Sequence, residues 1–221
     1  LSLLTATGVE YVMRGHPLVD ERRRGPMIGL WVLPMLITLA GARLTPLLLA
    51  RGIGTWVLGL IAVGILLAAM IVAEYRTLDP DAPGATAARF ATAGATYVAA
   101  LVLFAATYGS KARSLLSAST VVVFATLLAL VILRVRSDTE RSSWGYALLC
   151  GLLLGQATWA LNYWGVSGLT GGALLLLLFY LFTGLSQQHL LGRFNARVLA
   201  EYGLITAVGV LLLAAQGVFT W

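Results

Sequence analysis

The chain alternates between long apolar runs and short polar segments along its whole length. The apolar runs cover residues 27–42, 53–73, 91–109, 115–133, 146–163, 170–185 and 204–221. About 20 mostly apolar residues in a helix cross the ~30 Å hydrocarbon core of a bilayer. Because an α-helix satisfies its own backbone hydrogen bonds in lipid, the pattern predicts an all-α bundle of seven transmembrane helices.

The beginning of the chain leaves two points of the topology open. After the first run, Pro46 and the leucines that follow it either form a re-entrant turn over residues 43–51 or lengthen the first helix. Residues 1–26 are predicted to be a cytoplasmic segment. If an upstream helix ends near Met13, the count rises to eight. Residues 27–221 are predicted to form a single transmembrane bundle.

The amino-acid composition agrees with membrane insertion. Hydrophobic residues make up 59% of the 221 residues and charged residues 11%, whereas soluble domains carry about 25% charged residues. The net charge of +6 is distributed over short segments between the apolar runs. It forms no basic helix face, so we predict no nucleic-acid partner.

The basic residues predict the orientation, because cytoplasmic loops are enriched in Arg and Lys. With the N-terminus inside and the C-terminus outside, four basic residues face outward: Arg43, Arg51, Lys111 and Arg113. The other eleven face the cytoplasm. This bias supports the orientation with the N-terminus inside and the C-terminus outside. We expect a multi-pass protein that is surrounded by membrane lipids.

Ionisable residues are absent from the middle of every predicted span, which argues against ion coupling inside the chain. The two histidines, His16 and His189, both lie near the predicted cytoplasmic boundary. They show no metal-ligand spacing, and no catalytic motif appears. We therefore predict no catalytic residue, no metal site and no cofactor. A bis-histidine haem or a bound pigment is the alternative.

One polar cluster lies on the fifth predicted helix, at Gln156, Trp159, Asn162 and Tyr163. Positions 156, 159 and 163 share one helix face. Gln156 lies inside the predicted outer boundary and needs an interhelical hydrogen bond there. The cluster is either a contact between helices or a pocket for a quinone, pigment or lipid headgroup.

A second polar cluster follows the sixth predicted helix on the cytoplasmic side and contains Gln188, His189, Arg193 and Arg197. It is either a solvated interfacial helix or a contact for anionic lipid or a partner protein. Three arginines near the N-terminus could join the same surface: Arg22, Arg23 and Arg24.

Segments 108–120 and 187–204 resemble an uncharacterised family of small polytopic membrane proteins from bacteria of the Chloroflexota type. The resemblance covers the last half of the chain. It implies a bacterial inner membrane and assigns no catalytic residue.

The missing catalytic motif and the short outer loops favour a non-catalytic accessory or structural subunit of a larger membrane complex, with other membrane subunits as partners. One alternative is a transporter or binding protein for an uncharged or lipidic ligand, which would use the fifth helix. A further alternative is an enzyme acting on lipid at the cytoplasmic face.

Overall fold

The computed structural model describes residues 7–8, 11, 28–77, 84–110, 114–134, 140–213 and 215. These residues contain seven long helices and no strand. The helices are α1 (Ile28–Ala50), α2 (Ile53–Thr77), α3 (Ala85–Gly109), α4 (Ser114–Arg134), α5 (Glu140–Leu161), α6 (Gly168–Leu190) and α7 (Ala196–Leu213). Each is long and apolar enough to cross a membrane. The prediction of an all-α fold is confirmed, and the chain is a multi-pass integral membrane protein.

The first helix settles the ambiguity at residues 43–51, because α1 continues to Ala50 without a break. Both Pro34 and Pro46 lie inside it. Proline is tolerated within membrane helices where nearby groups compensate for the lost hydrogen bond. Of the two alternatives left open for residues 43–51, the structure shows the longer first helix, so Arg43 lies in a helix and not in a turn. Arg43 lies within a candidate span, Val32–Ala50.

The last helix also starts earlier than its apolar pattern suggested. We predicted a span from residue 204, but α7 begins at Ala196. Helix α6 runs to Leu190, so only residues 191–195 separate the two helices. The separate interfacial helix considered for this segment is wrong. Its residues form the end of α6, a short turn and the first turn of α7.

The chain divides into two compact units, Leu1–Ala99 and Ala100–Trp221, with the boundary inside α3. The single bundle over residues 27–221 therefore stays a prediction. In the first unit, α1 and α2 form an antiparallel hairpin. Its turn uses Gly52 at a φ of 120°, a backbone conformation that glycine adopts without strain. The Thr55 hydroxyl donates to the Leu48 carbonyl across the turn at 2.9 Å.

In the second unit, α4 and α5 pack closely because glycines line their contact. Gly151 lies against Thr126 and the backbone of Val122, and Gly155 lies against the Val122 side chain. A Cβ atom at either glycine would collide with α4. Such close approach without side chains is how helices gain contact area in a membrane. Gly151 and Gly155 therefore pack within the chain, against α4.

The start of α6 packs on the last turns of α3 in a similar way. Gly172 contacts the backbone of Ala105, and Gly171 lies under the ring of Tyr108. One turn deeper, Phe104 and Phe179 meet edge to face, with ring centroids 5.8 Å apart. Further along α6, Gly184 accommodates the ring of Tyr202 on α7. Glycine contacts therefore connect α6 to both α3 and α7.

Candidate functional site

The polar face predicted on the fifth helix faces outward. Gln156, Trp159 and Tyr163 are all exposed, with 56% of Trp159 and 79% of Tyr163 accessible. Gln156 lies five residues before α5 ends, about 7.5 Å along the helix axis. Its amide has no hydrogen-bond partner in the described ranges of the chain. Gln156 and Trp159 lie on α5, whereas Tyr163 lies in the turn after the helix ends at Leu161. The expected interhelical bond to Gln156 is not among the contacts that the described residues make.

Asn162 does not belong to this face. Its side-chain amide donates a hydrogen bond of 2.9 Å to the hydroxyl of Ser117 on α4, and Asn162 is half-buried. The Asn162 amide therefore ties the end of α5 to the start of α4. Consequently Gln156 and Asn162 point to different surroundings.

The cytoplasmic cluster lies around the turn between α6 and α7. Gln188 is half-buried in the last turns of α6, whereas His189, Arg193 and Arg197 are exposed. The His189 ring lies between Tyr146 and Phe194, at centroid distances of 5.6 and 5.8 Å. These contacts hold the imidazole against the first turns of α5. Three arginines predicted to join this surface, Arg22, Arg23 and Arg24, lie outside the described residues, as does His16.

Arg43, which the sequence analysis counted among the four outward-facing basic residues, lies in the interior of the α1–α2 hairpin. Gly41 packs against Val63, and Val63 is the middle of the 21-residue apolar span Ile53–Ala73. Two residues along α1, Arg43 is level with the centre of that span. Along α1 itself, seven residues of helix, about 10 Å, separate Arg43 from the end of its candidate span at Ala50. The Arg43 side chain is exposed rather than folded into the unit.

Neither candidate span of the hairpin, Val32–Ala50 or Ile53–Ala73, contains Asp or Glu. A guanidinium in the middle of a bilayer is costly unless it is paired or reaches water. Arg43 is therefore a cation within a candidate membrane span, and the two spans of its own hairpin supply no counter-charge.

A second polar group accompanies Arg43. Because Pro46 has no N–H, the carbonyl of Ala42 lacks the helical donor that position 46 would normally supply. Ala42 is exposed like Arg43. The same stretch of α1 thus presents a fixed cation beside a carbonyl without its helical partner. Both groups are suited to a polar partner from outside the helix.

No cluster of three His, Cys, Asp or Glu side chains that could hold a metal occurs in the described ranges. The thiol of Cys150 is buried, 3.5 Å from the Ser186 hydroxyl. This contact joins α5 to α6 and leaves the thiol without access to solvent.

No significant similarity links the chain to a curated protein or to a solved structure. A family model, by contrast, matches residues 1–216. The match covers nearly the entire sequence and gives no information on the bacterial group that the resemblance implied. The chain belongs to the family described as "Protein of unknown function (DUF5656)".

Proposed function

We propose that the protein is a non-catalytic accessory subunit of a larger membrane assembly, in the inner membrane of a bacterium. The observation that carries this proposal is the outward-facing amide of Gln156. It lies within the candidate span Ser143–Leu161, is exposed and has no hydrogen-bond partner in the described part of the chain.

An amide group in hydrocarbon is unfavourable by about 2–7 kcal/mol unless it is hydrogen-bonded. A helix of another subunit can provide the missing bond, as Gln side chains commonly do between membrane helices. Trp159, three residues further along α5, and Tyr163, in the turn after the helix, are exposed as well. Aromatic residues of this type are enriched in the centres of protein interfaces.

Extraction of the tagged protein from its native membranes in a mild detergent, followed by quantitative mass spectrometry, tests the proposal. We expect one or more membrane proteins to be recovered in a fixed ratio. Gln156→Leu should lower that ratio, whereas Ile205→Val, at an exposed position of α7, should leave it unchanged. Recovery of the unmodified chain alone, or with lipid only, would contradict a role as a subunit.

A further inference from the structure

We propose that Arg43 forms an intramembrane ion pair with an Asp or Glu in a transmembrane helix of another subunit. The inference rests on the proposed function and adds the chemistry of the partner. It also predicts where that partner contacts the chain. The contact surface is the exposed stretch of α1 that contains Ala42, Arg43, Pro46 and Leu47.

The position of Arg43 disfavours an ordinary headgroup contact. Gly41 lies against Val63 and Gly59 against Leu48, so Arg43 lies in the interior of the hairpin and not at its turn. On its own candidate span, Val32–Ala50, Arg43 is seven residues before the end, about 10 Å along the helix axis. An arginine side chain near a helix end can extend to the interface. From Arg43 the side chain would have to cross about 10 Å to do so.

Charge complementarity identifies the class of partner. The site carries a permanent positive charge, since the guanidinium remains protonated in proteins. Neither candidate span of the hairpin, Val32–Ala50 or Ile53–Ala73, contains an Asp or Glu. An acidic residue in a neighbouring helix neutralises the charge and accepts two parallel hydrogen bonds from the guanidinium.

The backbone beside Arg43 favours a protein partner over a lone anion. The Ala42 carbonyl lacks a helical donor because of Pro46, so a hydroxyl or amide N–H on the incoming helix can bond to it. Leu47 is 66% exposed on the next turn of α1 and supplies apolar contact. Cation, acceptor and apolar side chain together fit a helix that carries one carboxylate and at least one donor.

The test compares Arg43→Gln with Arg43→Lys and with Arg51→Gln, all purified from native membranes in mild detergent. Arg51 is the matched control, because it is an exposed arginine in the turn of the same hairpin. We expect Arg43→Gln to lower recovery of the partner by about tenfold or more. Arg43→Lys should retain more of the partner than Arg43→Gln, and Arg51→Gln should retain all of it. Identical gel-filtration profiles of the purified chains exclude misfolding as the cause.

Identification of the partner completes the test. Its sequence should contain an Asp or Glu within a transmembrane helix, and exchanging the two charges, with Arg43→Glu in this chain and Arg in the partner, should restore recovery. Full recovery with Arg43→Gln would overturn the ion pair while leaving the subunit proposal intact. Loss of bound anionic phospholipid without loss of protein would also overturn it. If the unmodified chain has no partner, both proposals fail.

Discussion

The hydroxyl of Tyr108 donates a hydrogen bond of 2.7 Å to the carbonyl oxygen of Leu161. Tyr108 lies in the last turn of α3, and Leu161 is the last residue of α5. The final carbonyls of a helix have no partner within the helix. The phenol therefore caps α5 from a neighbouring helix, while its ring rests on Gly171 of α6. One side chain connects three helices of the second unit.

Removing this hydroxyl should weaken the second unit. We expect Tyr108→Phe to lower the free energy of unfolding by about 1 kcal/mol, because the ring stays in place and one buried hydrogen bond is lost. Denaturation of the purified protein in mixed micelles measures the change. Tyr163→Phe is the control, since that phenol is exposed. Equal stability of the two variants would show that the cap to Leu161 contributes nothing.

Enlarging Gly151 should separate α4 from α5. A valine there would collide with Thr126 and the Val122 backbone, so we expect a loss of about 1–3 kcal/mol in stability. Gly145→Val, on the same helix but with open space around it, should be tolerated. If Gly151→Val instead dissociated an oligomer and left the unfolding temperature unchanged, Gly151 and Gly155 would be part of an interface between chains.

The bond between Asn162 and Ser117 is suited to a double-mutant cycle. We expect Asn162→Leu and Ser117→Ala each to destabilise the protein, with a coupling energy of about 0.6 kcal/mol and at most about 1.7 kcal/mol. Unfolding in micelles gives the three differences that the cycle needs. Strictly additive effects would mean that the amide and the hydroxyl do not interact. The same variants should leave recovery of partner proteins unchanged, because this bond lies within the chain.

Two glycines near α7 should respond to alanine with opposite signs. Gly192, in the turn before the helix, has a φ of +66°, so Gly192→Ala should lower stability by about 1 kcal/mol. Gly203 is inside α7 with open space around its α-carbon. There alanine should be neutral or stabilising by up to about 1 kcal/mol, because it is the better helix former. Thermal unfolding compares the two, and a loss of stability at Gly203 equal to that at Gly192 would contradict the backbone argument.

The hydropathy pattern predicted the fold because a helix needs an apolar run of sufficient length to cross the lipid bilayer. It could not place helix ends where a proline lies inside a helix or where the first turn of a helix is polar. This explains why the end of α1 beyond Pro46 and the start of α7 at Ala196 were not predicted. It also could not separate lipid-facing from buried positions, since both are apolar in a membrane helix. The outward direction of Gln156 and the internal partner of Gly151 therefore required the structure.

The position of Arg43 inside a helix was not predicted for a related reason. Counting the first span to residue 42 placed the arginine in a loop, where it agreed with the topology. The leucines after Pro46 were the available signal, since an apolar stretch on both sides of a proline is compatible with a continuous membrane helix. If the first span had been extended to Ala50, Arg43 would have been placed inside it. Its lack of a counter-charge in that span would then have been visible from the sequence.

The depth of position 43 is the property on which the account depends most, and cysteine labelling measures it directly. In a Cys150→Ala background, which removes the single cysteine of these 221 residues, Arg43→Cys and Arg51→Cys are each treated in intact membranes with a membrane-impermeant maleimide. We expect Arg51→Cys to react and Arg43→Cys to stay unlabelled until detergent is added. Equal labelling of both positions in intact membranes would place Arg43 in water and contradict the account.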